Sequence, residues 1–159
     1  MSIWSYKLGG KVDLINGLNH YVGFMQLKAE DFIEFKIFPV IIGLLGITGI
    51  IIALMGSVMG LRNWLLGYGL FGVGALIDFY RWLYKFGHTI DPQAIIDVDG
   101  YTPPMVGSST FMNFYIMSYP GTAALVLIAA LVLGVLAFAI SWRRNPKTAA
   151  LQHAPANTL

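Results

Sequence analysis

IFPVIIGLLGITGIIIALMGSVMGL, residues 37–61, runs for 25 residues without a charged side chain between Lys36 and Arg62. A helix crossing about 30 Å of hydrocarbon needs roughly 20 apolar residues, so this stretch reads as a transmembrane span. Pro39 falls in its first turn, where a missing N–H is tolerated. A second span is expected over residues 63–86. Asn63–Ile77 is uncharged, and Asp78, Arg81 and Lys85 then mingle with Tyr80, Trp82 and Tyr84, a mixture suited to a membrane interface. A third, residues 121–142, is uncharged and stops at Arg143 and Arg144. The predicted fold is an all-α integral membrane protein with three transmembrane helices, an interfacial N-terminal segment (residues 1–36) and one long loop (residues 87–120).

Composition agrees with a bilayer as the solvent. Hydrophobic residues make up 57% of the 159 and charged ones only 11%, against about 25% in an ordinary soluble domain. The net charge of +2 and the absence of any Lys/Arg-rich run argue against nucleic acid as a partner. With no cysteine, disulfides, thiolate metal sites and cysteine nucleophiles are excluded. The first residues, MSIWSYKLGGKVD, lack the apolar core of a signal peptide, so an internal span is expected to direct insertion.

Only Arg62-Asn63 separates the first two spans, which implies a tight antiparallel hairpin. Gly43, Gly46, Gly49, Gly56 and Gly60 in the first, and Gly67, Gly69, Gly72 and Gly74 in the second, allow close backbone approach. Either a specific helix–helix interface or the general abundance of glycine in membrane helices accounts for them. Basic residues near span ends orient the chain. Arg62, Arg143, Arg144 and Lys147 fall on one side; Lys28, Lys36 and Lys85 fall on the other, with Arg81 if it reaches that interface. The N-terminus and the loop are therefore placed outside and the C-terminus inside. The tail, residues 143–159, has no apolar period and reads as cytoplasmic and disordered.

Two polar segments then share the outer side. In residues 13–35, Asn16-Gly17 is a turn signal, Asn19-His20-Tyr21 and Met25 follow, and EDFIEFK suggests an interfacial helix. The loop has turn signals at Asp91-Pro92 and Asp99-Gly100, a short apolar run at residues 94–98 that suits a strand, and an extended Pro103-Pro104. No charge occurs from Gly100 to Trp142, so the later half of the loop is expected to lie against the membrane.

His20, His88, Asp91, Met25 and Met105 share that side. Imidazole and thioether suit copper, thioether especially Cu(I), and Asp91 adds a harder donor. No fixed ligand spacing supports the set, and a histidine orienting its own loop with methionines filling apolar gaps explains the same residues. Asp78 and Arg81 are spaced i, i+3 on one helical face; they suit a structural ion pair or a proton relay. Ser108-Ser109-Thr110 has no nucleophile setting, and no nucleophile–base pair is evident, so an enzyme is not expected.

Four blocks carry a resemblance: INGLNHYVGF at 15–24, EFKIFPVIIG at 34–43, DFYRWLYKFGHTIDPQA at 78–94 and YTPPMVGSSTFMNF at 101–114. Together they resemble a poorly characterised family of small integral membrane proteins encoded beside nitrous oxide reductase and its copper-maturation factors. The resemblance covers about residues 10–120 and implies an accessory role in nitrous oxide respiration at a bacterial inner (plasma) membrane, in copper handling or assembly of the reductase. The matching positions are Asn19, His20, Asp78, Tyr80, His88, Asp91, Pro103, Pro104 and Asn113. Two departures stand out. Family members often have a further span before the LNHY block, and the residue after that block's glycine is often Met, whereas here Phe24 precedes Met25. The alternative role, independent of the resemblance, is a structural subunit of a larger membrane complex that docks through the loop.

Overall fold

A computed structural model describes residues 1–92, 94 and 98–144. In chain order it contains β1 (Ser2–Ile3), β2 (Leu8–Gly9), α1 (Val12–Val22), a single 3-10 turn (Ala29–Asp31), α2 (Glu34–Met55), α3 (Val58–His88), β3 (Gly107–Phe111), β4 (Phe114–Ser118) and α4 (Thr122–Arg144). The chain is mostly helical, and α2 and α4 are long and apolar enough to cross a membrane.

The break between α2 and α3 lies earlier than the charge pattern suggested. It falls at Gly56-Ser57, not Arg62-Asn63, because Gly56 adopts a left-handed φ of 63° and closes α2, a conformation that glycine takes without a Cβ penalty. The Ser57 hydroxyl then accepts from the Gly60 N–H at 3.0 Å and caps α3. The α2 helix also starts at Glu34, which moves Pro39 from the first turn into the helix.

Packing centres on α3. Antiparallel to it lies α2: Trp64 Nε1 donates to the Leu45 carbonyl at 2.9 Å, Gly49 lies against the Trp64 ring, and Phe38 meets Phe71 edge-on at 5.5 Å. On α4, Gly134 faces Leu65, and the Leu127 carbonyl accepts from the Tyr68 hydroxyl at 2.9 Å. Residues rising along α4 thus meet residues falling along α3, so this pair is antiparallel too. One end of the bundle gathers Met55, Arg62 and Arg143, and the other Glu34, Asp78 and the start of α4. The glycines divide: Gly49 and Gly134 sit in helix contacts, while Gly43, Gly46, Gly67, Gly69, Gly72 and Gly74 face nothing within 4 Å.

The outer surface of the bundle is apolar. No residue of α2 or α4 is buried, and the only buried hydrophobic residues among those described are Val22 and Tyr68. Leu54, Leu70 and Leu133 are 83%, 75% and 66% exposed. In water such a surface would be a large association patch; in hydrocarbon it is the expected exterior.

Outside the three long helices, two expectations are corrected. Asn16-Gly17 lies within α1 and is no turn, since its neighbours keep the helical register and the Asn16 amide bonds elsewhere. The interfacial EDFIEFK helix is a 3-10 turn followed directly by α2. The chain is also not all-α. Residues 107–118 form an antiparallel hairpin, with Gly107 opposite Ser118 and Phe111 opposite Phe114. Residues 95–97 of the strand expected at 94–98, and the tail beyond Arg144 expected to be disordered, with His153, lie outside the described residues.

The glycine contacts give a test of the packing. A Cβ on Gly134 would stand 2.9 Å from Leu65 Cδ2, whereas one on Gly67 would meet open space. Gly134→Leu should lower the unfolding midpoint in detergent by the equivalent of about 1–3 kcal/mol of overpacking. Gly67→Leu should leave that midpoint within about 0.5 kcal/mol of the parent. Equal effects at both positions would contradict the α3–α4 contact.

Candidate functional site

The polar end of the bundle is capped by α1, residues 23–27 and the loop after α3. Two asparagines on α1 hold the extended residues. The Asn16 amide accepts from the Leu27 N–H at 2.7 Å and donates to the Leu27 carbonyl at 3.0 Å, so it pairs with that residue as a neighbouring strand would. One turn on, Asn19 donates to the Met25 carbonyl at 3.1 Å. Asparagine at both positions makes sense, because a single amide group supplies donor and acceptor together.

On its other edge the same segment meets the loop. Phe24 and Ile90 form an antiparallel bridge, and the Asp91 N–H donates to the Gly23 carbonyl at 2.8 Å. Asp91 in turn accepts through its carbonyl from the Ala94 N–H at 3.0 Å, which closes the expected turn across Pro92. Gly23 ends α1 at a φ of 73°, and a Cβ there would stand 2.5 Å from that of Ala94. Glycine is therefore required twice over at this corner, by conformation and by space.

Further along, the Tyr101 N–H donates to the Gly87 carbonyl at 3.0 Å, and the Tyr101 backbone passes too close to Gly87 for any side chain there. Tyr101 stacks on Phe111 at 4.4 Å, and Phe111 lies 5.5 Å from Phe24. This aromatic series fastens the hairpin to the cap. The Ser118 hydroxyl donates to the Met105 carbonyl at 3.0 Å and draws the hairpin's base together.

Between α1 and the loop lies an open pocket of about 310 Å³, lined by His20, Met25 and Asp91 among others. Three of the five residues selected for metal chemistry thus reach one place. His88 lines no part of that pocket. Its Nδ1 faces the Tyr84 carbonyl at 2.9 Å, its ring stacks on Tyr84 at 3.9 Å, and Gly100 lies against its other face. A carbonyl at Nδ1 fixes the proton there and leaves Nε2 as the acceptor of the neutral ring. Met105 belongs to the hairpin base. Among the described residues no group of three histidine, aspartate or glutamate side chains gathers where it could hold a metal ion.

Asp78 and Arg81 do meet, at 2.7 Å, and Arg81 also reaches Glu34 on α2 at 3.4 Å. Glu34 accepts from Trp82 Nε1 at 3.0 Å through the same oxygen, while its other oxygen is buried with no partner among the described residues. Trp82 is flanked by Phe32 at 4.6 Å, and Lys85 lies over its ring. Glu34 is the member that the pair's i, i+3 spacing could not reveal, since its contact spans 47 residues of chain. The network joins the first turn of α2 to the last third of α3. The Arg81 side chain is 66% exposed, whereas those of Glu34 and Asp78 are 14% and 24% exposed.

No protein-family model, curated protein or solved structure matches the chain.

Two measurements check this geometry. Asn16→Leu should speed hydrogen exchange at the Leu27 amide and leave α2 and α4 unchanged. Unaltered exchange would show that the amide pairing carries no weight. For Asp78→Ala and Arg81→Ala, a thermal double-mutant cycle should give a coupling of about 0.2–1 kcal/mol, the range for exposed pairs. A coupling of zero would remove the pair.

Proposed function

We propose that the chain is a non-enzymatic, three-span membrane subunit whose outer cap docks on a partner protein. The third span is α3. Its 31 residues extend for about 46 Å at 1.5 Å per residue. That length crosses the hydrocarbon and carries its last turns, from Asp78 to His88, beyond it. Placing the Glu34–Arg81–Asp78 network at the outer interface, with Arg62, Arg143 and Arg144 at the inner one, follows the bias of basic residues toward the cytoplasm. The N-terminus is then outside and the C-terminus inside, in a bacterial inner membrane if the resemblance holds.

The observation that carries the docking role is the surface of the hairpin. Tyr115, Met117 and Tyr119 are 66%, 60% and 68% exposed. Tyr115 and Met117 alternate along β4 onto one face, which Tyr119 continues just past its end. Phe111, Tyr101 and the Ser118–Met105 bond hold the hairpin in place, so this aromatic face is presented with little conformational freedom left to lose. Tyrosine and methionine are enriched at protein interfaces, and a pre-ordered surface binds at lower entropic cost.

A second reading, copper handling or assembly of nitrous oxide reductase, draws on the resemblance and on one feature of the cap. His20 and Met25 line the same pocket, and an imidazole with a thioether suits Cu(I). His88 and Met105 belong to the scaffold in this reading, not to the ligand set.

Replacing Tyr115, Met117 and Tyr119 together by Ser should leave the chain inserted and move it, on native gels of mildly solubilised membranes, from a complex to its own size. A parent chain that already migrates alone would defeat docking. A periplasm-active reporter fused after Leu159 should stay silent; activity there would invert the orientation. For the second reading, protein purified without chelators should hold copper that His20→Ala loses, and metal-free parent protein loaded with Cu(I) would fail to retain it if that reading is wrong.

A further inference from the structure

At the end of the bundle opposite the cap, α3 and α4 leave a groove of about 370 Å³ between them, lined by Arg62, Val135, Phe138, Ala139, Trp142 and Arg143. Its chemistry is sharply divided. Val135, Phe138, Ala139 and Trp142 supply an apolar wall two turns long, with the Phe138 and Trp142 rings 5.7 Å apart. The two arginines supply the charge. Among the described residues Arg62 bonds only to the neighbouring Asn63 side-chain oxygen, at 3.3 Å. Among the described residues the ion pairs all belong to Arg81, at the other end of the bundle. The residues beyond Arg144 contain no acidic side chain.

From this juxtaposition we infer that the groove seats an anionic phospholipid of the inner leaflet, one acyl chain along Val135–Trp142 and its phosphate between Arg62 and Arg143. The inference rests on the three-span reading, which puts both arginines at headgroup depth and the apolar wall just below it. Arginine is suited to the task because its planar fork meets phosphate oxygens in pairs. A zwitterionic lipid would leave its own ammonium group opposing the two guanidinium groups. A second protein chain would need carboxylates brought into the headgroup layer, where an anionic lipid is already present.

The test begins with insertion. Carbonate-washed membranes should retain the full chain; release into the supernatant would overturn the three-span reading itself. With insertion established, native mass spectrometry of the detergent-solubilised chain titrated with phosphatidylglycerol or phosphatidylcholine reads the site. Phosphatidylglycerol should bind preferentially, and Arg62→Ala or Arg143→Ala should each weaken it by about fivefold, from about 1 kcal/mol per basic residue near an anionic surface. Lys85→Ala removes the same charge at the opposite end and should change nothing. Ala139→Trp keeps both arginines but fills the wall, and it should abolish the preference as well. Water-soluble glycerol phosphate at millimolar concentration should not compete. Equal binding of the two lipids, loss on Lys85→Ala equal to that on Arg62→Ala, retention by Ala139→Trp, or displacement by glycerol phosphate would each overturn the proposal.

Discussion

Two side-chain donors hold α3 between its neighbours: Trp64 reaches the Leu45 carbonyl on α2, and Tyr68, one turn later, reaches the Leu127 carbonyl on α4. The two rings lie 5.0 Å apart, so the contacts to both flanking helices are made from adjacent positions on one helix. A polar atom packed between helices is costly without a partner, and a helix carbonyl's second lone pair can accept from it. These bonds therefore set how α2 and α4 are rotated toward α3. Everything at the ends of the bundle inherits that placement, including the meeting of Glu34 with Arg81 and the groove at Arg62.

What could be read from residues alone follows the strength of the physics involved. Long uncharged runs identify α2 and α4 because hydrocarbon tolerates little else. The first charge after α2, Arg62, lies several residues past the helix's end, which Gly56 and the Ser57 cap set. Charged side chains near a span's end can extend along the helix to the interface, so they locate the boundary only loosely. The hairpin at residues 107–118 carries little sequence signal for a different reason. Its turn is Met112-Asn113, with Met112 at a φ of 52°, where a glycine would have announced it. The one Asn-Gly pair in the sequence, Asn16-Gly17, is helical, and the Asn16 amide pairs with Leu27 instead of closing a turn.

The cap shows the same contrast at the level of the site. Asp78 and Arg81 were legible because helical spacing alone brings them together. His20, Met25 and Asp91 reach a common pocket through contacts that no spacing encodes, chiefly the Gly23–Asp91 bond across 68 residues of chain. His88 lies in the same cap, yet the Tyr84 ring and carbonyl command it first. Sharing a membrane face is a weak constraint on two histidines. The local stacking of one of them on its own helix is a stronger one.

The short Gly56-Ser57 connection also bears on the order of assembly. Trp64 meets Leu45 and Gly49 across fewer than twenty residues of chain, whereas the Tyr68–Leu127 bond closes 59 and the Gly23–Asp91 bond 68. Closing a longer loop costs more entropy, by about 0.6 kcal/mol for each doubling, and contacts near in sequence form fastest. Loop closure therefore favours the α2–α3 contacts over those that bring in α4 and the cap. The Leu65 face of α3 meets Gly134 from a helix 69 residues further along, and the cap needs residues beyond His88. The helical hairpin is thus the part of the bundle whose contacts are nearest in sequence, and the parts that join it close progressively longer loops.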